Sequence, residues 1–202
     1  MELILVRHAE PERVAPGTGV PANPPLTDAG RTQAARLADW LAHEPIDVVL
    51  SSPQRRAVET AQPVADALGL GVEIAEGLVE YDVQADHYIP MEELRATKDE
   101  RWRAMVEGRW GEFGGEHPDE FRARVDRAVD GIVTSNAGRT VVAVCHGGVV
   151  NVALASVLGL VRPLWFDPGY TSISRMMASR TGIRSVHSVN ETAHLYAKRE
   201  RR

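Results

Sequence analysis

The sequence predicts a three-layer α/β/α sandwich around a mostly parallel central sheet. Three observations carry this expectation. The short apolar runs Leu3–Val6, Ile46–Leu50 and Val141–Cys145 show no polar alternation, so each reads as a strand buried on both faces. Helical patterns alternate with these runs, the mark of a parallel sheet covered by helices. The chain has 202 residues, 44% of them hydrophobic, which suffices for the full core of a single domain over 1–202, with an insertion or lid at about 84–115.

The elements follow in chain order. Leu3–Val6 ends abruptly at Arg7 and His8, and residues 9–26 are rich in Pro, Gly and Ala and read as loop. Thr27 opens a helix in which Leu37 and Leu41 lie four apart, and Pro45 follows its end. After Ile46–Leu50, Ser51-Ser52-Pro53 reads as a helix start, with serine as cap and proline in the first position. That helix runs through Val58, Ala61, Ala65 and Leu68, with Pro63 expected to kink or break it. Val72–Ala75 is a weaker strand. Residues 77–115 are the least periodic, with short helices expected, one of them over 91–107. Pro118 and Asp119 start a helix with Phe121, Val125, Val129 and Ile132 or Val133 as its apolar stripe. Thr140–Cys145 is followed by His146-Gly147-Gly148 and a helix over Val149–Leu158. Ile173–Met177 and Ile183–Val189 form a late strand pair turning near Thr181-Gly182, and Lys198–Arg202 reads as a loose basic tail.

Composition narrows the function. A net charge of −5 argues against a general nucleic-acid binder, and one cysteine excludes a disulfide scaffold or a cysteine-rich zinc site. No apolar run reaches 20 residues and no leader pattern is visible, so neither membrane attachment nor export is expected, and a cytoplasmic location is. Cys145, flanked by apolar residues, reads as a packing residue. His87, His117 and His194 fit no short zinc motif, so no metal is expected.

The chemistry lies where the apolar runs end. Ligands of open α/β sheets bind beyond the carboxyl ends of the strands. Three such ends bring together Arg7, His8, Arg55 and His146, a set suited to an oxyanion. Guanidiniums offer paired hydrogen bonds to phosphate, and the backbone at Gly147 and Gly148 adds donors at a helix start. An imidazole with one nitrogen unprotonated is able to attack phosphorus and carry the phosphoryl group. A carboxylic acid must then protonate the leaving oxygen. Glu80 is the first choice and Asp82 the second, both in the loop after Val72–Ala75.

With these residues in view, LILVRHAE (3–10), LTDAGRTQA (26–34), SSPQRRAVETA (51–61), VAVCHGGVV (142–150) and NETAHL (190–195, as a final strand) together resemble the histidine phosphatase superfamily, the group with the phosphoglycerate-mutase-like fold. The resemblance implies a phosphatase in which His8 is phosphorylated, Arg7, Arg55 and His146 hold the phosphoryl group, and Glu80 is acid and base. It places the second arginine role on Arg55, with Arg56 as its solvent-facing neighbour. It implies no metal and no organic cofactor. Ala9 stands where the family usually has glycine. Thr18 and Asn23 are the candidates for a polar phosphate contact from the first loop. Glu116 and His117 are candidates for touching the distal part of the substrate.

The expected activity is metal-independent hydrolysis of a small phosphorylated metabolite through a phosphohistidine. Phosphoproteins are the alternative substrate, and a homodimer is compatible with the sequence. One competing function is a phosphoglycerate-type mutase, disfavoured because residues 78–88 lack the Trp-Glu-Gly ending common in mutases. The other is a non-catalytic phospholigand-binding protein, disfavoured by the retained Arg7, His8, Arg55 and His146.

Overall fold

A computed structural model describes residues 1–17, 19–113, 115–162 and 164–196. Among them a six-stranded sheet has the order β3-β2-β4-β1-β5-β6. Its strands are β1 (Glu2–Arg7), β2 (Val48–Ser51), β3 (Val72–Ile74), β4 (Thr140–Cys145), β5 (Ile173–Ala178) and β6 (Arg184–Glu191). The β1, β4, β2 and β3 neighbours pair in parallel, whereas β5 is antiparallel to β1 and β6 to β5. The expected mostly parallel sheet is present, with a hairpin closing one edge.

Successive strand residues face opposite sides of a sheet, and here both sides are covered. Ile4, Val6, Val142 and Val144 pack under α1 (Asp28–Leu41) and α2 (Arg55–Leu68). Leu3, Leu5, Val141 and Ala143 pack under α5 (Pro118–Ser135) and α6 (Gly147–Leu158). The chain therefore leaves β1 and β2 toward one face and β4 toward the other. The crevice between their carboxyl ends is a topological switch point. Cys145 is fully buried in the second core, and burial pushes its thiol pKa up.

Several local expectations are corrected. The Ser51-Ser52-Pro53 segment does not start a helix: Ser51 belongs to β2, Ser52 Oγ accepts from Gln54 N (3.3 Å), and α2 begins at Arg55. Pro63 lies inside α2 without ending it. The buried stripe of Ala57, Ala61, Val64 and Ala65 holds the helix to the sheet across the missing backbone bond. The expected single helix over 91–107 is two, α3 (Met91–Ala96) and α4 (Glu100–Glu107). The break falls at Lys98, which has φ 54°, and at Asp99, whose carboxylate caps Arg101 N. The expected strand over 190–195 stops at Glu191, and α7 (Ala193–Tyr196) follows. The basic tail Lys198–Arg202 lies outside the described residues. No helix among the described residues is long and apolar enough to cross a membrane.

The loop after β1 is seated on α1. Thr27 caps that helix by accepting from Gly30 N (2.9 Å), and Thr27 N donates to Glu10 O (3.0 Å). A Cβ on Gly30 would sit 2.0 Å from Glu10 O, so only glycine lets helix and loop approach this closely. Gly30→Ala is expected to destabilise the fold by about 1–3 kcal/mol through this clash. The helix-propensity gain of roughly 1 kcal/mol at the same position is the smaller effect. A urea denaturation midpoint equal to or above wild type would contradict this.

Candidate active site

The sheet ladder continues past the strand ends and holds three loops in place. His8 N donates to Cys145 O (2.8 Å), Ser52 N to Val144 O (2.9 Å) and Thr171 N to Arg7 O (3.0 Å). These bonds set Arg7, His8, Ser52 and His146 around the switch point. A cavity of about 290 Å³ opens above it, lined at its inner end by Arg7, His8, Arg56, Glu80 and Asp82.

His8 is 2% exposed. Its Nδ1 lies 2.7 Å from Ala9 O, and its Nε2 lies 3.3 Å from the Nε–H of Arg56. A carbonyl only accepts and a guanidinium only donates, so this pattern assigns the proton to Nδ1 and leaves Nε2 unprotonated, its lone pair accepting from Arg56. Burial, then the charges of Arg56 and Arg7, hold the imidazole pKa well below its usual value. His8 is therefore a neutral base aimed by its neighbours.

The arginine beside it is Arg56, not Arg55. Arg56 is 1% exposed, with its guanidinium carbon 4.8 Å from the Tyr88 ring centroid and Nη2 3.9 Å from Asp82. Arg55 points outward and pairs with Glu59 at 2.6 Å. The reason is helical phase. The resemblance of residues 51–61 placed the role on Arg55, but the buried face of α2 runs through Arg56, Ala57, Thr60, Ala61 and Val64. Arg55 and Glu59, four apart with opposite charge, were the sequence signal for the solvent face. Arg7 completes the cationic floor: Nη1 donates to Pro168 O (2.6 Å), and the guanidinium lies 4.0 Å from the Tyr170 ring centroid.

His146 is fully buried, its ring centroid 5.1 Å from that of His8. Nε2 lies 2.8 Å from Ser52 Oγ, while Nδ1 is buried without a hydrogen-bond partner among the described residues. Burial, then Arg56, His8 and Arg7, push its pKa well down, so this imidazole is also neutral.

Glu80 is 7% exposed, and its pKa is raised to about 7 by burial and then by Asp82. Its carboxylate accepts from Gly148 N (2.8 Å) and Tyr81 N (3.2 Å). These donors favour the charged form, but desolvation outweighs them. A Cβ on Gly148 would meet Glu80 Oε1 at 2.3 Å, so glycine is needed for this contact. The amide of Gly148, second residue of α6, thus serves Glu80, and of the expected backbone donors Gly147 alone lines the cavity without that engagement. Asp82 is raised too, by burial, with Arg56 opposing.

Other expected contacts are placed elsewhere. Thr18 lies outside the described residues. Asn23 is exposed and accepts from Arg55 N (2.7 Å), which ties the first loop to the start of α2 rather than to the cavity. Glu116 is not among the cavity residues and pairs with Arg124 (2.5 Å), which also donates to Gly77 O and Val79 O. It braces the loop that carries Glu80. His117 is 67% exposed and caps α5. Residues missed in the sequence are Arg56 as a site arginine, Tyr88 and Tyr170 flanking His8, and Gln54, whose Oε1 accepts from Glu80 N (2.9 Å). The tyrosines carried no periodic signal, because they lie in loops.

Comparison with known proteins gives the family. A bifunctional protein of Mycobacterium tuberculosis is 33% identical over 208 residues, covering 96% of this chain and 54% of the relative. This chain spans about half the length of the mycobacterial relatives it matches. Phosphoserine phosphatase 1 of Hydrogenobacter thermophilus is 31% identical over 200 residues, covering 96% of this chain and 94% of the relative. The crystal structure of an Entamoeba histolytica phosphoserine phosphatase in complex with 3-phosphoglyceric acid matches with TM-score 0.74 at 26% identity, covering 96% of this chain and 98% of that one. The family model of the histidine phosphatase superfamily (branch 1) matches residues 3–192. With paired histidines and buried arginines at the switch point and a family match over nearly its whole length, the chain belongs to the histidine phosphatase superfamily.

Proposed function

We propose that this chain hydrolyses phosphomonoesters of small molecules through a phosphohistidine on His8. One observation carries the reading: a neutral imidazole with Nε2 unprotonated, held at a cavity wall beside two buried guanidiniums, one of which donates to that nitrogen and must turn to the phosphoryl oxygens as Nε2 attacks. Nε2 attacks phosphorus while the ester P–O bond breaks, and the leaving oxygen takes the Glu80 proton. Charge on the phosphoryl oxygens is met by Arg7, Arg56 and His146. Water then attacks the phosphohistidine with Glu80 as base. The P–N bond breaks, its electrons return to Nε2, and inorganic phosphate leaves. Side chains fill every role in this route, so turnover is expected to persist in excess chelator. The phosphatase names among its relatives support the reading.

His8→Ala should abolish phosphate release from p-nitrophenyl phosphate while the melting profile is retained. Wild type quenched during turnover of a radiolabelled ester should carry acid-labile label on His8. A folded His8→Ala variant with full turnover would overturn the route.

Arg56→Ala should lower kcat/KM by about 10²–10³, the usual cost of losing one preorganised donor. Arg55→Ala, which removes an exposed ion pair, should change it by less than about threefold. The opposite ranking would return the site role to Arg55.

The acid form of Glu80 is present below about pH 7 and lost above it. For an alkyl phosphate, whose leaving group needs a proton, kcat/KM should fall as pH rises through that value. Glu80→Gln should remove this alkaline limb and lower the rate about 10²–10⁴-fold, far more than for p-nitrophenyl phosphate. An unchanged alkaline limb in Glu80→Gln, with Asp82→Asn removing it, would reassign the acid to Asp82.

A further inference from the structure

The cavity does not end at the phosphoryl site. Beyond Glu80 its wall is built by Met91 of α3, Trp102 and Met105 of α4, and the segment Leu164, Trp165 and Phe166. Trp165 and Phe166 are fixed there rather than loosely placed. Asn151 Oδ1 accepts from both their backbone amides (2.9 and 3.1 Å), and Trp165 Nε1 donates to Asn151 O (3.1 Å). Their rings lie 4.5 Å apart between centroids. Met105 is held from behind, its sulfur accepting from Tyr81 Oη (2.8 Å).

The charged groups of this wall are mostly committed to one another. Arg101 is gripped by Asp99 in a two-pronged contact (2.8 and 2.7 Å), and Arg95 pairs with Asp167 (2.9 Å). Arg162 is exposed. The guanidiniums at the phosphoryl end, Arg7 and Arg56, are taken up by the phosphate itself under the reading above. A leaving group with a carboxylate, as in a phosphorylated hydroxy or amino acid, would have to sit among thioethers and indoles with Asp82 in the same cavity, and would compete with Asp99 and Asp167 for Arg101 and Arg95 or reach the exposed Arg162. An apolar alcohol would instead replace water along this wall and gain with each carbon buried.

We propose that the leaving group is an apolar alcohol, alkyl or aryl, bound along the Met91–Trp102–Met105–Trp165–Phe166 wall. This rests on the phosphomonoesterase reading. Helices α3 and α4, together with Leu164, Trp165 and Phe166, then act as the specificity element of the site.

A series of n-alkyl phosphates from ethyl to hexyl tests the proposal, because leaving-group reactivity is nearly constant along it. Burial of each methylene should raise kcat/KM about three- to fourfold. Hexyl phosphate should be turned over at least about tenfold more efficiently than phosphoserine or 3-phosphoglycerate at equal pH, a margin of a few buried methylenes. Trp102→Ala and Met105→Ala should flatten the chain-length slope. Binding of hexylphosphonate and methylphosphonate, measured by calorimetry on wild type, separates the two readings. Turnover with a flat chain-length slope, a preference for the acidic substrates, or a slope that survives both variants would overturn this proposal and leave the hydrolase reading intact. Absence of turnover, with hexylphosphonate still bound at least tenfold tighter than methylphosphonate, would overturn the hydrolase reading and retain the apolar wall. Equal binding of the two phosphonates would overturn the apolar wall.

Discussion

Two guanidiniums are buried at the carboxyl ends of the parallel strands, and among the described residues neither has a carboxylate within hydrogen-bond distance. Arg56 has Asp82 no nearer than 3.9 Å, and Arg7 is met by the Pro168 carbonyl and the face of Tyr170. A buried cation without a close counter-ion is costly. The fold meets part of that cost with a carbonyl and two aromatic faces, and under the proposed function a phosphate dianion would supply the rest. The same field governs its neighbours. Added to their burial, it keeps His8 and His146 neutral, and neutrality is what the proposed attack by His8 Nε2 requires.

The acid is tuned by a different route. Glu80 lies in the same basin, yet burial and Asp82 outweigh the pull of Arg56 and two backbone donors. Its loop is held at several points: Gln54 takes its backbone amide, Arg124 grips the carbonyls of Gly77 and Val79, and Tyr81 packs against Trp110 and Phe121. For the proposed proton transfer, a carboxyl with a pKa near 7 must stay in register with His8. The packing of Tyr81 into the α5 core and the ion pair of Glu116 with Arg124 provide that register.

Most elements were legible as sequence, and the misreadings share a cause. Where function follows directly on a buried strand, as at Arg7-His8 and at His146, chain adjacency alone carries the side chain to the switch point. On α2 the same inference failed, because Arg55 and Arg56 differ by one step of helix rotation and only the packed stripe decides which one enters. Asn23, Glu116 and His117 are polar residues near the right motifs, yet each is occupied by the backbone or by another side chain of the scaffold. Pro63 marks the same limit from the other side: a local rule against helix continuation lost to tertiary packing along the buried face of α2.

The sequence by itself determined the sheet, the layers and the order in which histidine, arginine and carboxylate reach one edge. Buried strands must be apolar, and their ends are where polarity returns. The tertiary structure decided which arginine faces His8, which nitrogen of His8 is unprotonated, and which side chains line the cavity beyond it. Those depend on helix azimuth, on a 3.3 Å contact between Arg56 and His8, and on loops such as 164–168 that come together with α3 and α4 only after the chain has folded. No periodicity in the chain encodes such contacts, because the residues that make them lie far apart in sequence.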